Sequence, residues 1–190
     1  MSKNSNAEGS TMFPDSFARD IATDLVNTLT GLCERIEIVG SLRRLKPHVN
    51  DIDIIAIPKL IQLADETLFG EPLHDNLLDK KLAEMCFRGQ LSLEANGSKI
   101  KRFLTSVDGD VVPIDIYTAT VETWWTLLLI RTGSRNHNIK LARRAMQLQM
   151  HLKADGSGLL NPTGKPLPIQ SEQDVFRHLG LSYRPPEERE

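Results

Sequence analysis

Two carboxylates at alternate positions of a short apolar segment are the residues best placed for chemistry in this sequence. Asp51 and Asp53 alternate with two isoleucines. Residues two apart in a β-strand point to the same face, so the aspartates would lie about 6–7 Å apart on one face and the isoleucines would face a core. Carboxylates this close repel each other unless a cation lies between them, and oxygen ligands favour hard ions such as Mg²⁺. The segment therefore predicts a site for a divalent cation.

A candidate phosphate site comes just before the two aspartates in the chain. A short β-branched segment ends at Gly40-Ser41, and the basic pair Arg43-Arg44 follows at once. Glycine lets a bulky anion approach the backbone because it has no Cβ. Serine offers a hydroxyl and an amide, and the forked donors of arginine match a phosphate group. The sequence therefore predicts a phosphate site one strand away from the cation site.

Neither motif is specific when it stands alone. An isolated Asp-x-Asp is more often a solvated strand face, and an isolated Gly-Ser is usually a turn. The joint pattern of strand, Gly-Ser, basic pair and Asp-x-Asp is more specific, and it predicts a third carboxylate on a neighbouring strand. Asp115, which lies between Ile114 and Ile116, is the candidate for that carboxylate.

The composition is that of an ordinary globular protein, since 40% of the 190 residues are apolar and 25% are charged. No apolar run reaches the roughly 18 residues that a transmembrane helix needs, and the first residues lack the apolar core of a signal peptide. Cys33 and Cys86 fit a reduced intracellular protein, and no cysteine–histidine cluster has zinc spacing. We therefore expect no membrane partner.

Charge is unevenly distributed along the chain, although the net charge is only −2. Residues 122–190 contain 10 Lys or Arg and 7 Asp or Glu, whereas the rest of the chain contains 13 and 18. The stretch from Arg131 to Lys153 contains six basic residues and no acidic one. This asymmetry is typical of a protein in which one half holds cations and the other contacts phosphates. A solvated helix face would also produce it.

Periodicity and turn residues predict a sheet covered by helices. Apolar residues at helical spacing over 17–29 predict a first helix. Residues 60–89 are interpreted as a loop followed by a helix. Two turn signals, Asn96-Gly97 and Asp108-Gly109, predict two hairpins that lead into the strand of Asp115. The expected sheet is therefore mixed, with hairpins at its far edge.

The last third of the chain is predicted to be mainly helical. Residues 122–130 form an apolar segment in which Trp124 and Trp125 are expected to be core residues. Residues 138–150 are predicted to form a basic helix. Ser171 begins a further helix, because the sequence Ser-Glu-Gln-Asp has the pattern of a helix cap.

Three segments together resemble the nucleotidyltransferase fold, and within it the DNA polymerase X family that includes polymerase beta. These segments are Gly40-Ser-Leu-Arg-Arg44, Asp51-Ile-Asp-Ile54 and the distant Ile114-Asp-Ile116. Two later segments, around Thr132-Gly-Ser134 and over residues 171–190, resemble the nucleotide-pocket segment and the C-terminal stretch of the same family. The resemblance covers residues 13–190, and its motifs occur in the family's order.

Residues 1–11 are polar and rich in serine and asparagine, which predicts a disordered tail. The resemblance implies an α/β (α+β) fold with two domains after that tail. A palm with the nucleotidyltransferase fold, a mixed β-sheet flanked by helices, would span residues 12–121. A small, mainly helical thumb that binds nucleotide and DNA would span residues 122–190. The chain would begin at the palm, without the N-terminal domains that grip the downstream strand and in some members carry lyase activity. We therefore expect no lyase activity and a distributive, salt-sensitive enzyme.

The activity that the resemblance implies is that of a DNA-directed DNA polymerase. Such a metal-dependent nucleotidyltransferase adds dNMP from a dNTP to a primer 3′-hydroxyl, here in the filling of short gaps during DNA repair. Its cofactors would be two Mg²⁺ ions, with Mn²⁺ as an alternative. By resemblance, Asp51 and Asp53 would hold both ions. Asp115 would hold the catalytic ion and help to remove the hydroxyl proton.

The same resemblance assigns further residues to the nucleotide and to DNA. The nucleotide-binding candidates are Gly40, Ser41, Arg44, Thr132, Gly133 and Asn138. The DNA-binding candidates are Arg135, Lys140, Arg143 and Arg144. The expected partners are a DNA primer-template or gapped duplex and a dNTP, bound by a monomer. We expect a cytoplasmic location in a bacterial, phage or viral setting, and a nuclear location is left open.

Three positions depart from the family pattern. Many members carry an aromatic pair just before Thr-Gly, where this chain has Ile130-Arg131, so discrimination between deoxyribose and ribose is an open question. Ala142 stands where an arginine is usual in the thumb helix, which leaves fidelity open. A basic residue often stands two residues before the third carboxylate, and here that position is Pro113.

Two other functions stay open on sequence grounds. A nucleotidyltransferase with the same carboxylates could add nucleotides without a template, or could use RNA, a protein hydroxyl or a small molecule as acceptor. Alternatively, the chain could be a DNA-binding module without activity that descends from a polymerase. Retention of three aspartates argues against the second alternative, because an unneeded cluster of like charges is costly.

Overall fold

Strands and helices alternate along the chain, and the computed structural model describes them over residues 4–5, 11–66 and 72–190. The strands are β1 (Asn4–Ser5), β2 (Thr11–Pro14), β3 (Cys33–Ile38), β4 (His48–Val49), β5 (Ile52–Pro58), β6 (Leu60–Glu66), β7 (Pro72–Asn76), β8 (Ser92–Asn96), β9 (Ile100–Val107), β10 (Asp110–Thr118), β11 (His151–Leu152) and β12 (Leu159–Leu160). The α-helices are α1 (Asp15–Leu29), α2 (Gly40–Arg43), α3 (Leu77–Phe87), α4 (Trp124–Thr132), α5 (Arg135–Gln147) and α6 (Glu172–His178). Short 3₁₀ helices lie at Thr30–Leu32 and Pro186–Glu188.

A five-stranded mixed sheet, in the order β3-β5-β10-β9-β8, forms the centre of the fold. The strands β5 and β10 are parallel, and the other neighbouring strands are antiparallel. The turn between β9 and β10 is Asp108-Gly109, whose φ angles of 53° and 84° are those of a type I′ hairpin turn. The predicted mixed sheet, with hairpins at its far edge, is confirmed.

Different helices cover the two faces of the sheet. Successive residues of a strand point to opposite faces, so neighbouring residues of β5 pack against different helices. On one face, Ile52 of β5 packs in a core cluster with Leu25 of α1 and Leu82 of α3. On the other face, Ile55 of β5 packs with Trp124 of α4. Trp124 is almost fully buried, so the prediction that it is a core residue is confirmed.

The helices α4, α5 and α6 enclose a separate small core with β11 and β12. Leu129 of α4 and Phe176 of α6 are buried in this core. The side chains of Ser134 and Ser171 each accept a hydrogen bond from a backbone N–H in the first turn of α5 and α6, which caps both helices. The predicted cap at Ser171 is confirmed, and α5 begins at Arg135 rather than at residue 138.

One segment differs from the sequence-based interpretation. Residues 60–76, interpreted as part of a loop, contain the antiparallel hairpin of β6 and β7. Leu60 and Ile61 point to opposite faces of this hairpin and are both exposed, at 57% and 49%. The sequence of β6, Leu-Ile-Gln-Leu-Ala-Asp-Glu, lacks the alternation of apolar and polar residues that marks a strand in a sequence. This is why the sequence did not predict it.

The predicted disordered tail at residues 1–11 lies mostly outside the described residues. Within it, Asn4 and Ser5 pair with Met12 and Thr11 as antiparallel strands. Among the helices in the described ranges, none is long and apolar enough to cross a membrane.

Candidate active site

Parallel pairing of β5 and β10 brings two of the predicted catalytic aspartates side by side. Asp53 is the register partner of Asp115, and neighbouring strands lie about 4.8 Å apart. The hydroxyl of Tyr117 lies 3.2 Å from Oδ1 of Asp53 and 3.3 Å from Oδ2 of Asp115. Asp51, just before β5, lines the same cavity as Asp53. The three carboxylates therefore form one acidic cluster.

Burial and mutual repulsion alter the ionisation of this cluster. The pKa of Asp53 is raised to about 7, first by burial and then by the charges of Asp51 and Asp115. Burial and the charge of Asp115 also raise the pKa of Asp51. Burial likewise raises the pKa of Tyr117. The raised pKa values of Asp51 and Asp53 show that the neighbouring cationic side chains do not fully compensate the negative charge of these two aspartates.

Arg102 on β9 is a site residue that the sequence analysis did not identify. Its Nε donates to Oδ1 of Asp115 and its Nη2 to Oδ2, each at 2.7 Å, and this bonding raises the pKa of Arg102. The contact follows from strand register, because Arg102 lies directly opposite Asp115. The signal was present in the sequence, since the two-residue turn at Asp108-Gly109 sets that register. Pro113 stands where the family often has a basic residue. In this chain Arg102, on the neighbouring strand, is the basic residue that contacts Asp115.

Gly40 allows the turn after β3 to approach Asp53 closely. Its φ is +63°, and a Cβ built on it would lie 2.0 Å from Oδ2 of Asp53. A side chain at this position would be strained by the backbone conformation and would also collide with the carboxylate. The backbone N–H of Val39 donates to the carbonyl of Asp53 at 2.8 Å, which holds the two segments together. The Gly-Ser turn and the acidic cluster are therefore in direct contact.

A polar cavity of about 400 Å³ lies over the acidic cluster. The predicted site residues that line it are Gly40, Ser41, Arg44, Asp51, Asp53 and Gly133. Ile130 and Arg131, which stand at the usual place of the aromatic pair, also line it, as do three polar side chains to which the sequence analysis gave no role, Lys46, His48 and Tyr117. The cavity combines carboxylates, a Gly-Ser turn and cationic side chains. That combination suits a phosphate ester bound beside a divalent cation.

Thr132, a predicted nucleotide contact, is fully buried where α2 meets α4. Its hydroxyl accepts a hydrogen bond from Nη1 of Arg43 at 2.6 Å, and its carbonyl accepts one from Nη1 of Arg44, also at 2.6 Å. Arg43 also donates to both carboxylate oxygens of Glu172, at 2.9 Å each. Of the basic pair, Arg43 therefore joins α2 to α4 and α6, and Arg44 is the arginine that lines the cavity.

Asn138, another predicted nucleotide contact, lies beside a second cavity of about 390 Å³. Its Nδ2 donates to the carbonyl of Ile130 at 2.7 Å, and its Oδ1 is buried. Ile130, Ile139 and Ala142 also line this second cavity, so much of its wall is apolar. It adjoins the first cavity, because Ile130 and Arg131 line both.

The four predicted DNA contacts on α5 have different surroundings. Arg135 is exposed and lines the second cavity, and Arg143 is exposed on the helix surface. Lys140 is exposed and its Nζ lies 3.4 Å from the main-chain oxygen of Glu190. Arg144 is partly buried, and its Nε donates to the carbonyl of Leu179 at 2.9 Å. As placed, Arg135 and Arg143 are the residues whose cationic groups most directly face solvent.

The acidic cluster fits a hard divalent cation in part. Asp51 and Asp53 supply carboxylate oxygens with uncompensated negative charge. Arg102 binds both oxygens of Asp115. Over residues 11–66 and 72–190, no group of three or more His, Cys, Asp or Glu side chains has the geometry of a metal site. Asp51 and Asp53 could therefore hold a cation as placed, and each oxygen of Asp115 retains a second lone pair for a cation beside its hydrogen bond from Arg102.

Comparison with known proteins gives matches over most of the chain. The family model described as DNA polymerase beta thumb matches residues 127–190. The DNA polymerase/3'-5' exonuclease PolX of Bacillus subtilis is 30% identical over 183 residues, which are 94% of this chain and 28% of that protein. The chain thus spans little more than a quarter of that relative's length. The Repair DNA polymerase X of African swine fever virus is 27% identical over 159 residues, which are 83% of each chain.

The fold also matches a solved structure, that of Leishmania infantum polymerase beta, described as a ternary P/T complex. The TM-score is 0.74 at 20% sequence identity, and the match covers 94% of this chain and 77% of that chain. At this level of identity the match establishes the fold, an α/β sheet domain followed by a helical region.

Proposed function

Because this chain belongs to the DNA polymerase X family, we propose that it is a DNA-directed DNA polymerase that fills short gaps in DNA repair. It would add dNMP from a dNTP to a primer 3′-hydroxyl. The observation that carries this proposal is the placement of Asp51, Asp53 and Asp115 in one cluster beside the cavity of the Gly40-Ser41 turn. Phosphoryl transfer of this kind depends mainly on positioning and on neutralisation of charge.

Polymerases of this family depend on metal ions, and we propose two Mg²⁺ ions, or Mn²⁺, for this chain. Asp51 and Asp53 would hold both ions and Asp115 one of them. When bound, such ions neutralise phosphate charge and lower the pKa of the attacking hydroxyl. The raised pKa of Asp53 supports this assignment, because a cation is what would stabilise its charged form.

The residues around the cluster would orient the reacting groups. The turn at Gly40-Ser41 would place main-chain amides and a hydroxyl against the outgoing phosphates, with Arg44 as their cationic partner. The hydrogen bond from Arg44 to the carbonyl of Thr132 would fix the direction of that guanidinium. Asp115, which Arg102 on β9 holds, would accept the proton of the primer hydroxyl.

Nucleotide and DNA would extend from the first cavity across α5. Gly133 and Asn138 would contact the sugar or the base edge of the incoming nucleotide. Arg135 and Arg143 would contact phosphates of the primer or template, since both are exposed on α5. Lys140 and Arg144 would contribute to the same basic surface while contacting Glu190 and Leu179. A monomer would suffice for all these contacts.

The experiment that tests the proposal is extension of a labelled primer on a duplex with a one-nucleotide gap, with each dNTP or rNTP supplied singly. Wild type should add the template-matched dNTP with Mg²⁺. Asp115→Ala should reduce the rate at least about a hundredfold, the lower range for loss of a proton-transfer group. Glu94→Ala, which removes an exposed carboxylate on β8, is the matched control and should leave the rate unchanged.

Addition that ignores the template would instead establish an untemplated nucleotidyltransferase. Equal use of rNTPs and dNTPs would show that Ile130 and Arg131 do not exclude ribose. No addition by a folded wild-type protein, with either metal ion, would overturn the proposal.

A further inference from the structure

The hydroxyl of Tyr117 lies between two carboxylates that come from different strands. It is 3.2 Å from Asp53 on β5 and 3.3 Å from Asp115 on β10, and the side chain is 7% exposed. A phenol has one O–H donor, so it can donate to only one carboxylate at a time. Both carboxylates are nevertheless held within hydrogen-bond distance of the same oxygen. The Tyr117 hydroxyl therefore links β5 and β10 at the position of their two aspartates.

Arg131 on α4 holds the ring of Tyr117 from the other side. Its guanidinium carbon lies 4.2 Å from the ring centroid, which is the geometry of a cation–π contact. Its charge also acts on Asp53, whose pKa it lowers against the larger effects of burial and of the other aspartates. A residue of the helical region thus contacts the side chain whose hydroxyl lies between the two carboxylates of the sheet.

Arg131 is also exposed to the two cavities. It lines the cavity over the acidic cluster and the adjoining cavity that Asn138 and Arg135 line. Tyr117 lines the first of these two cavities but not the second, so a ligand in the second cavity would act on Tyr117 through Arg131. Tyr117 and Arg131 together therefore connect the acidic cluster to both cavities.

We propose that Tyr117 is a positioning residue that sets the spacing of Asp53 and Asp115. We further propose that Arg131 couples this spacing to the presence of a ligand in the two cavities that it lines. This inference rests on the proposed function for its catalytic consequence. Its structural part, the control of the two carboxylates, does not require polymerase activity. The two parts can therefore be tested separately.

The first test uses Tyr117→Phe, which keeps the ring against Arg131 and removes only the hydroxyl. Binding of Mn²⁺ alone is measured by electron paramagnetic resonance of the free ion, without DNA or nucleotide. We expect about a fivefold weaker Mn²⁺ affinity, because the carboxylates lose the group that holds them together. In primer extension, kcat should fall about tenfold while KM for the dNTP stays within twofold. The matched control is Tyr183→Phe, since Tyr183 packs on Phe176 in the other core.

The second test asks whether Arg131 acts through Tyr117. Arg131→Lys keeps the positive charge near Asp53 and weakens the planar stacking on the ring. It should weaken Mn²⁺ binding about twofold in the wild-type background and have no effect in the Tyr117→Phe background. Such a loss of effect in a double-mutant cycle identifies residues that act as one unit.

The outcomes separate this inference from the proposed function. If Tyr117→Phe weakens Mn²⁺ binding but wild type extends no primer, the positioning role stands and the polymerase proposal fails. If wild type extends primers and Tyr117→Phe matches it in Mn²⁺ affinity and kcat, the inference is overturned and the polymerase proposal stands. Tighter Mn²⁺ binding by Tyr117→Phe, or additive effects of the two substitutions, would also overturn it.

Discussion

Arg102 binds both carboxylate oxygens of Asp115, with Nε and Nη2 each 2.7 Å from an oxygen, across the β9–β10 hairpin. The charge of Arg102 also lowers the pKa of Asp51, against burial and Asp115, which raise it. One side chain thus orients one aspartate and favours the charged form of another.

Arg102→Met should therefore impair the enzyme in two ways. We expect kcat at pH 7 to fall about tenfold, the effect of roughly 1.4 kcal/mol at the transition state. The acidic limb of the pH dependence of kcat/KM should move to higher pH, because Asp51 would be harder to ionise. Arg102→Lys should restore the acidic limb through its charge but not the full kcat, since lysine cannot bind both oxygens. An acidic limb unchanged in Arg102→Met would contradict this prediction.

Gly40→Ala should abolish activity because the added Cβ would lie 2.0 Å from Oδ2 of Asp53 and must displace it. Gly109→Ala is the matched control: its φ is +84°, and in the described part of the chain no atom beyond the adjacent residues lies within 4 Å of the added Cβ. Each substitution should cost about 1–2 kcal/mol in unfolding free energy through backbone strain. Only Gly40→Ala should also lose primer extension, by about a hundredfold or more. Comparable activity of the two variants at matched stability would refute the role of close approach.

The stability of the metal-free protein should fall as pH rises from about 5 to 8. The pKa of Asp53 in the folded protein, about 7, is above the ordinary aspartate value of 3.8. The folded state then binds more protons than the unfolded state between these values, so the free energy of unfolding decreases with pH across that window. The contribution of this one carboxyl is at most about 4 kcal/mol, at about 1.4 kcal/mol per pKa unit.

Thermal unfolding from pH 5 to 8, with and without Mg²⁺, measures this effect. Mg²⁺ should raise Tm most at pH 8, where Asp53 is charged. Asp53→Asn should flatten the pH dependence, whereas Asp24→Asn, an exposed change on α1, should preserve it. A slope retained in Asp53→Asn would assign the pH dependence to another group.

Glu172 joins α2 to the last residues of the chain and should be critical for stability. It is 4% exposed and binds Arg43 at 2.9 Å and Arg189 at 2.7 Å, and Arg189 is fully buried. Although burial acts to raise the pKa of Glu172, the two arginines bring it below its usual value. Glu172→Ala would leave two partly or fully buried guanidinium groups without a carboxylate, at a cost of about 3–5 kcal/mol.

Chemical denaturation monitored by fluorescence of the tryptophans measures the loss at Glu172. Glu172→Gln should lie between Glu172→Ala and wild type, because the amide keeps one oxygen acceptor. Glu187→Ala, an exposed change in the same part of the structure, should alter the free energy of unfolding by less than about 0.5 kcal/mol. A similar loss in Glu187→Ala would show that the network at Glu172 has no special role.

Lys46 lines the cavity over the acidic cluster and forms an ion pair with Glu190. The pair is partly exposed and therefore weak, so a phosphate group can take the place of the glutamate. Lys46→Met should raise KM for the dNTP about tenfold with kcat within threefold, because the lost contact is made equally before and during reaction. Lys59→Met, whose Nζ contacts the carbonyl of Gly31 instead, should leave both constants unchanged. A kcat effect without a KM effect would argue against a phosphate contact at Lys46.

Local patterns in the sequence determined a large part of the fold and of the site. The alternation around Asp51 and Asp53 placed both carboxylates on the face opposite Ile52 and Ile54, and β5 has this arrangement. The turn at Asp108-Gly109 and the cap at Ser171 were readable because each depends on a few adjacent residues. Such features carry their own signal, since their geometry is set by bonds and hydrogen bonds within the segment.

Tertiary structure alone decided which distant groups meet. The register of β5 on β10 places Asp53 beside Asp115, and parallel strands are joined by a long connection that no local rule sets in register. The contacts of Arg43 with Glu172 and of Tyr117 with Arg131 join different helices and strands, and these depend on how the elements pack. The sequence could therefore predict the kinds of residue at the site, whereas their partners, burial and ionisation follow only from the folded chain.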